Sequence, residues 1–246
     1  MKARAAVLTL VIALTASAAH ASSSAQITVY AAASLTNVFP QIDRGQRYSF
    51  GGSNTLAAQI QQGAPADVFA SANMALPQQL YEKNLCSKPV VFTRNTLVIV
   101  VPKSNAANVR SIYDLRRKGV KLVIAGPGVP VGSYTLQILK NMNLSASVLP
   151  NVVSRETDVR EVLAKVGLGE ADAGFVYATD ARVDTARLRV LRVPAWAQPK
   201  VQYGICIVAG SDHRADAQAF VRKVLSKSGQ ARLRGAGFLP RVKKKT

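Results

Sequence analysis

The stretch ITVYAAASLT, residues Ile27–Thr36, decides the fold because it predicts a strand that leads directly to a serine at the start of a helix. Its first half holds β-branched and aromatic residues, which favour a strand, and small residues follow up to Ser34. The unpaired backbone N–H groups and the dipole at a helix N-terminus favour an anion. This stretch therefore indicates a place where an anion could bind.

Two further turns have the same character. Ser53 follows a short strand in the segment FGGSNTLA, residues Phe50–Ala57, and a third turn lies in GPGVPVGSY, residues Gly126–Tyr134. One such turn is weak evidence, since every α/β protein contains strand-to-helix turns. Three of them, all built from uncharged residues, predict a pocket for a small oxyanion.

The order of the predicted elements indicates an α/β fold. Strands and helices alternate over residues 27–85 and again over residues 111–177, which is typical of parallel-rich sheets flanked by helices. The first helix is predicted over Ser34–Ile42, short or kinked because Pro40 lies inside it. Ligands of such folds sit where the carboxyl ends of strands meet helix N-termini, which places the expected pocket there.

Two long apolar strands, Asn95–Val101 and Val201–Ala209, are predicted to act as a two-strand hinge between two lobes. We place lobe 1 at residues 22–101 together with about residues 203–246. Lobe 2 is then residues 102–202. In this arrangement both lobes present their strand ends to one cleft.

Residues 1–21 are predicted to be a signal peptide outside the fold. Lys2 and Arg4 form a short basic region, the run Ala5–Ala18 is apolar, and Ala19–Ala21 fits a cleavage site of small residues. The apolar run is too short and wrongly flanked for a membrane span. We therefore expect export to the periplasm with cleavage near Ala21. No cysteine suited to lipid attachment follows, so no lipid anchor is expected.

The net charge of +19 raises the question of a nucleic-acid partner. The aromatic residues are few and are not interleaved with basic residues, as a base-stacking surface requires. Apart from Arg116–Lys118 and Arg241–Lys245, the basic residues are scattered along the chain. We therefore predict no nucleic-acid partner, and interpret the charge as a solvated surface that raises the local concentration of small anions.

The chain has two cysteines, Cys86 and Cys206. An exported protein can hold a disulfide, which here would close a loop of about 120 residues and add up to about 4–5 kcal/mol of stability. Two free thiols are an equal alternative, because Cys206 lies in an apolar strand where it would pack as a small hydrophobe. The sequence leaves both readings open.

No constellation of catalytic residues is visible. A hydrolase or phosphatase needs a nucleophile–base pair or a metal cluster, and of the two histidines His20 lies in the predicted signal peptide while His213 has no neighbouring ligand set. Asp67, Asp172 and Asp180 are isolated acids, which we interpret as caps or hinge contacts. We therefore predict a protein that is not an enzyme and has no cofactor, with an exported hydrolase as the disfavoured alternative.

Five segments together resemble the molybdate-binding proteins of bacterial molybdate ABC transporters. The segments are Ala31–Thr36, Gly52–Ala57, Ala66–Ser71, Pro130–Tyr134 and Gly169–Ala181. Their order and spacing are specific, and the resemblance runs from about Ile27 to Phe238. It implies a type II periplasmic binding protein fold, in which two lobes joined by a hinge hold an oxyanion in the cleft.

The resemblance also implies a ligand set of five residues that hold molybdate without a counter-ion. Ser34 and Ser53 would each give a hydroxyl and a backbone N–H, Val131 and Val159 would give backbone N–H groups, and Tyr177 would give its phenol. Molybdenum would then be bound only as the oxyanion. The other expected partner is the membrane permease of an ABC transporter. We also expect the protein to be a monomer.

This sequence departs from the family pattern at two places. Val131 stands where a smaller residue is common, and Gly51-Gly52 stands where the family often has serine. Backbone donors survive a change of side chain, so these departures put the shape of the cleft in question more than its chemistry.

Each predicted ligand also has a structural alternative. Ser34 and Ser53 could be plain helix caps, and Val131, Val159 and Tyr177 could be ordinary core residues. The ligand has alternatives as well. Tungstate is nearly isosteric with molybdate and is expected to bind, whereas sulfate or phosphate would need the same fold with a different selectivity. A lining made only of donors would reject an anion that carries its own proton.

Overall fold

The computed structural model describes residues 25–241, so the predicted signal peptide at residues 1–21 lies outside the described residues. Within residues 25–241 the chain forms ten β-strands and nine α-helices. The strands are β1 (Thr28–Ala32), β2 (Arg47–Gly51), β3 (Val68–Ser71), β4 (Val90–Asn95), β5 (Leu97–Pro102), β6 (Leu122–Ala125), β7 (Val152–Glu156), β8 (Ala173–Tyr177), β9 (Leu188–Arg192) and β10 (Val201–Ile207).

The α-helices are α1 (Phe39–Ile42), α2 (Ser53–Gln61), α3 (Ala75–Glu82), α4 (Pro130–Asn141), α5 (Ser145–Val148), α6 (Val159–Gly167), α7 (Ala178–Ala181), α8 (Arg214–Leu225) and α9 (Lys227–Gly235). Short 3-10 turns lie at Ala33–Leu35, Ile112–Arg116, Leu149–Asn151 and Ala195–Ala197. Over this part of the chain, no helix combines the length and the apolar character that a membrane crossing needs.

The strands form two five-stranded sheets of similar design. The first has the order β2-β1-β3-β10-β4, with β1 parallel to β2 and β3, and with β10 antiparallel to β3 and β4. The second has the order β7-β6-β8-β5-β9, with β6 parallel to β7 and β8, and with β5 antiparallel to β8 and β9. Helices pack against both sheets, α2 on β1 and β3, and α6 on β5, β6 and β8. The predicted α/β class is confirmed, but the sheets are mixed and not parallel-rich, because each has two parallel and two antiparallel pairings.

The chain passes between the sheets at two places. β4 ends at Asn95 in the first sheet, and β5 begins at Leu97 in the second, so the predicted single strand Asn95–Val101 is two strands. The strand that we placed at the end of lobe 1 therefore pairs within the second sheet. An apolar run that is buried on both faces fits a central position in either sheet, so its composition does not identify its partners.

Gln198 joins the two crossings. Its Oε1 accepts from the Leu97 N–H at 3.0 Å, and its Nε2 donates to the Leu97 carbonyl at 2.7 Å. Gln198 lies in the second crossing, which runs from the end of β9 to the start of β10. One side chain thus replaces the sheet hydrogen bonds that Leu97 cannot make at the point where its strand changes sheets.

The predicted helix over Ser34–Ile42 is wrong. The chain forms the 3-10 turn Ala33–Leu35 and then, after a break, the short helix α1 from Phe39. Pro40 lies in the first turn of α1, where the missing N–H would have no helical acceptor in any case. The proline therefore marks the start of a new helix and does not kink a longer one.

Cys86 and Cys206 form a disulfide, with their Cα atoms 5.9 Å apart. The bridge is buried in an apolar cluster beneath α2 and α3 that includes Leu56, Phe69 and Leu80. The sequence allowed either a disulfide or two free thiols, and the structure contains the disulfide. It ties the loop after α3 to the strand β10.

Candidate functional site

One cavity lies where the two sheets face each other, and every parallel strand leads into it. The strands β1, β2 and β8 end at residues that line it, and β3, β6 and β7 end one to four residues before a residue that does. The lining residues that follow or end these six strands include Ser34, Ser53, Ala72, Val131, Val159 and Tyr177. Both sheets therefore contribute to one site at their carboxyl ends, as the topology requires.

All five predicted ligand positions line this cavity. Its empty volume, including the mouth, is about 210 Å³, which is below the range of pockets for drug-sized molecules and favours a small ion. Among the described residues that line it, none is lysine, arginine or histidine. The lining offers hydroxyls, backbone groups and small apolar side chains, with Asp158 as its acid.

The hydroxyls of Ser34 and Ser53 are buried and do not cap their helices. Ser34 lies inside the 3-10 turn with its Oγ 2.9 Å from the Tyr203 hydroxyl. Ser53 is the first residue of α2, and its Oγ accepts from the Ala72 N–H at 3.1 Å. The alternative reading of both serines as plain helix caps is therefore wrong.

Val131 and Val159 place backbone donors at two helix N-termini. Pro130 begins α4 without an N–H, so the N–H of Val131 is the first of that helix. In α6, the Asp158 carboxylate accepts from the N–H groups of Arg160 at 2.6 Å and Glu161 at 3.2 Å. The N–H of Val159 stays available, because the first turn of a helix has no internal acceptor for it. Both termini carry the partial positive charge that favours an anion.

Tyr177 ends β8 with a buried hydroxyl that has no hydrogen-bond partner among the described residues. Its ring packs edge-on against Tyr203, with centroids 5.6 Å apart. Burial raises the pKa of Tyr177 well above its usual value, so the phenol keeps its proton. A buried hydroxyl without a partner is costly. An acceptor within the cavity would remove that cost.

Contacts across the cleft hold the two lobes close together. Arg160, on α6, donates from Nη2 to the Asn37 Oδ1 of the first lobe at 2.8 Å, and its Nε lies 2.7 Å from the Asp180 Oδ1. Burial raises the pKa of Asp180 to about 6, against the opposing effect of the Arg160 guanidinium. On the other side, Gly52 lies so near the Thr157 carbonyl that a Cβ on the glycine would collide with it.

Comparison with known proteins places this geometry in a family. Residues 27–239 match the family model described as bacterial extracellular solute-binding protein. The chain belongs to this family. It is 37% identical over 222 residues to the molybdate-binding protein ModA of Mycobacterium tuberculosis, a match that covers 86% of this chain and 84% of that protein.

Two further proteins that are similar to this chain are also molybdate-binding proteins. The molybdate-binding protein ModA of Haemophilus influenzae is 36% identical over 231 residues, covering 87% of this chain and 90% of its own. The solved periplasmic molybdate-binding protein of Azotobacter vinelandii is 20% identical, with a TM-score of 0.78, covering 88% of this chain and all of that one. At that identity the likeness concerns the fold alone, and the family's two-lobed architecture is the one predicted from the sequence.

The site also includes residues that the sequence pattern does not predict. Asp158 is not among the five predicted positions, although it caps α6 and also lines the cavity. Gly52 was read as a departure from the family pattern, although its place between a strand and Ser53 was a signal for close backbone approach. Tyr203 and Asn95, which lie behind Ser34, left no signal, since a tyrosine in an apolar strand is a core residue by default.

The isolated acids serve as structural acceptors. Asp67 accepts from the Thr28 N–H at 2.7 Å and from the Ser211 hydroxyl at 2.6 Å, and Asp172 accepts from the Lys121 N–H at 2.7 Å. Each ties a strand end to a neighbouring segment, as caps do. Over residues 25–241, no group of three or more histidines, cysteines or acids could hold a metal ion.

Proposed function

We propose that this chain is an extracytoplasmic solute-binding protein that captures molybdate between its lobes and delivers it to the permease of an ABC transporter. The observation that carries the proposal is the buried cavity whose donors come from both sheets and include no basic side chain. The relatives from M. tuberculosis and H. influenzae, whose names state molybdate binding, support the choice of ligand.

The donors match the needs of a tetrahedral dianion. A dianion that enters a dry cavity must exchange its hydration shell for hydrogen-bond donors, and hydrogen bonds to a charged group are the strong kind. The hydroxyls of Ser34, Ser53 and Tyr177 and the N–H groups of Val131 and Val159 would supply them. Because no counter-ion is needed, the ligand can leave again, which delivery requires. Tungstate, nearly the same size, is expected to bind as well.

The remaining features follow from this role. We propose that the lobes open and close about the crossings at Thr96 and between β9 and β10, where the connection between them is thinnest. We further propose that the protein acts in the periplasm as a monomer, without enzymatic activity and without a resident cofactor. Sulfate or phosphate in place of molybdate is the alternative that the same fold permits.

Thermal unfolding with added anions tests the proposal. A ligand that binds only the folded protein stabilises it by about 2.7 kcal/mol at a hundredfold excess over Kd. We expect molybdate and tungstate, each added separately, to raise the melting temperature, and sulfate and phosphate to do so far less. A shift with sulfate or phosphate alone would keep the fold and change the ligand. No shift with any of the four anions would refute the oxyanion site.

Three variants then test the hydroxyl groups that we propose as ligands of molybdate. Ser34→Ala, Ser53→Ala and Tyr177→Phe each remove one hydroxyl from the cavity and are expected to weaken molybdate binding about tenfold to a hundredfold, the cost of one hydrogen bond to a charged group. Ser104→Ala removes an exposed hydroxyl outside the cavity and is the matched control. Unchanged affinity in all three variants would show that the cavity is not the molybdate site.

A further inference from the structure

We propose that Tyr203 is a positioning residue that fixes the Ser34 hydroxyl as a donor toward the cavity, and that it thereby excludes anions that carry a proton. The proposal rests on the proposed function and identifies how that site discriminates between oxyanions. Tyr203 lies on β10, behind the cavity, and is fully buried. It is not among the residues that line the cavity.

The backbone determines the orientation of the Asn95 side-chain amide. The Thr96 N–H lies 2.9 Å from the Asn95 Oδ1, and because an N–H can only donate, the atom that faces it must be the oxygen. The Asn95 Nδ2 therefore faces the other way. It lies 2.9 Å from the Thr179 Oγ1 and 3.4 Å from the Tyr203 hydroxyl, and it donates to both.

The amide in turn determines the direction of the Tyr203 proton. The Tyr203 oxygen accepts from Asn95, so its own hydrogen must point elsewhere, and Ser34 Oγ lies 2.9 Å away. Burial raises the pKa of Tyr203 well above its usual value, so that hydrogen is always present. The hydrogen bonds of the described residues offer no other acceptor for it, so we assign Tyr203 as the donor and Ser34 as the acceptor.

Ser34 then has its own hydrogen left for the cavity. The Ser53 hydroxyl hydrogen is likewise left for the cavity, because the Ser53 Oγ accepts from the Ala72 N–H. Each serine thus has an acceptor lone pair occupied from behind and presents a donor in front. The N–H groups of Val131 and Val159 can only donate. Asp158, the acid in the described lining, already accepts through its Oδ1 from the N–H groups of Arg160 and Glu161. A fully deprotonated anion satisfies the donors of the cavity, whereas the O–H of a hydrogen phosphate that faces one of them would leave one group unpaired.

Tyr203→Phe tests the proposal, because it removes the hydroxyl and keeps the ring in its packing against Tyr177. The Ser34 hydroxyl is then free to rotate and to accept from a protonated ligand. We expect the preference for sulfate over inorganic phosphate, both measured by competition against molybdate at pH 6, to fall by about tenfold, the value of one misplaced hydrogen bond. The two anions are similar in size, and only phosphate carries protons at that pH. A general loss of protein stability would weaken the binding of sulfate and of phosphate equally and would leave the preference unchanged.

Two controls make the result specific. Tyr48→Phe removes a second phenol of the same lobe, one that is partly buried and donates to the Asp43 and Phe39 carbonyls. Tyr48 does not line the cavity, so this variant is expected to leave the preference unchanged. In a Ser34→Ala background, Tyr203→Phe should have no further effect on the preference. Asn95→Ala removes the donor that orients Tyr203 and should shift the preference in the same direction. It replaces Tyr203→Phe as the test variant if Tyr203→Phe fails to fold.

The outcomes separate this proposal from the proposed function. If the wild-type protein binds molybdate but the variants keep its preference, or lose affinity for sulfate and phosphate by the same factor, the positioning role of Tyr203 is refuted and the molybdate site stands. If the wild-type protein binds no molybdate, both are refuted together.

Discussion

Gly52 lies where the first lobe approaches Thr157 of the second, and ordinary backbone preferences do not require a glycine there. Its φ of −60° and ψ of 129° are open to any residue. The constraint is the Thr157 carbonyl across the cleft, which a Cβ at position 52 would meet, and the nearby Asn54 side chain is flexible enough to move. The glycine is therefore needed by the closed cleft and not by the fold of its own lobe.

Gly52→Ala is accordingly expected to weaken molybdate binding by about tenfold or more, since an added methyl group in a tightly packed contact costs about 1–3 kcal/mol. The melting temperature without ligand should change little, because the lobes can stay apart. Calorimetric titration and thermal unfolding measure the two effects. Gly126→Ala is the matched control, since a Cβ there would make only ordinary contacts. Wild-type affinity in Gly52→Ala would show that capture does not need this approach.

At this scale the sequence predicts which residues meet, but not how their hydrogens point. All five predicted positions line one cavity because each lies at the end of a parallel strand or in the segment that follows it, and these strand ends converge. The orientation of the Ser34 hydroxyl depends on Tyr203, which is 169 residues away in the chain. Such a contact leaves no local pattern in the sequence.

At the scale of elements, an apolar composition predicts that a strand is buried but does not predict the sheet in which it pairs. The run Asn95–Val101 is apolar from Leu97 onward, and the predicted burial holds for the end of β4 and for β5. The change of sheet at Thr96 is set by side chains that come from elsewhere. Gln198 pairs both backbone groups of Leu97, and the Asn95 amide accepts from Thr96. A residue 101 positions away determines where the strand stops pairing with its first sheet.

The disulfide is the covalent tie between elements, and its removal should cost stability without affecting the site. The cysteines are 120 residues apart, and closing so long a loop stabilises a protein by about 4–5 kcal/mol in the chain-entropy model. Replacing Cys86 and Cys206 together by alanine is expected to lower the free energy of unfolding by about 4 kcal/mol, measured with urea. Neither residue lines the cavity, so molybdate affinity should stay the same.

Reduction of the wild-type protein provides the control for this prediction. Unfolding in the presence of a strong reductant should bring the wild type to the stability of the double variant and leave the variant unchanged. Equal stability of the oxidised wild type and the double variant would mean that the bridge contributes nothing measurable. A loss of molybdate affinity in the variant would mean that β10 transmits the change to Tyr203.

At the scale of the whole molecule, the charge and the site are separate features. The full sequence has a net charge of +19, yet the described lining of the cavity includes no basic side chain. The charge therefore cannot hold the anion by contact. It can act at a distance, by raising the concentration of anions around the protein, and such attraction is screened by salt over about 8–10 Å at moderate ionic strength.

This separation predicts that salt affects capture but not release. Between about 10 mM and 300 mM ionic strength the association rate constant for molybdate should fall severalfold. The dissociation rate constant should stay nearly constant, because an anion bound in the proposed site would lie in a small cavity whose described lining has no basic side chain. Stopped-flow mixing measures both. Replacing the exposed Lys88, Lys118 and Lys200 by glutamate should lower the association rate at low salt, and replacing them by arginine is the matched control. An association rate independent of salt would show that the surface charge has no part in capture.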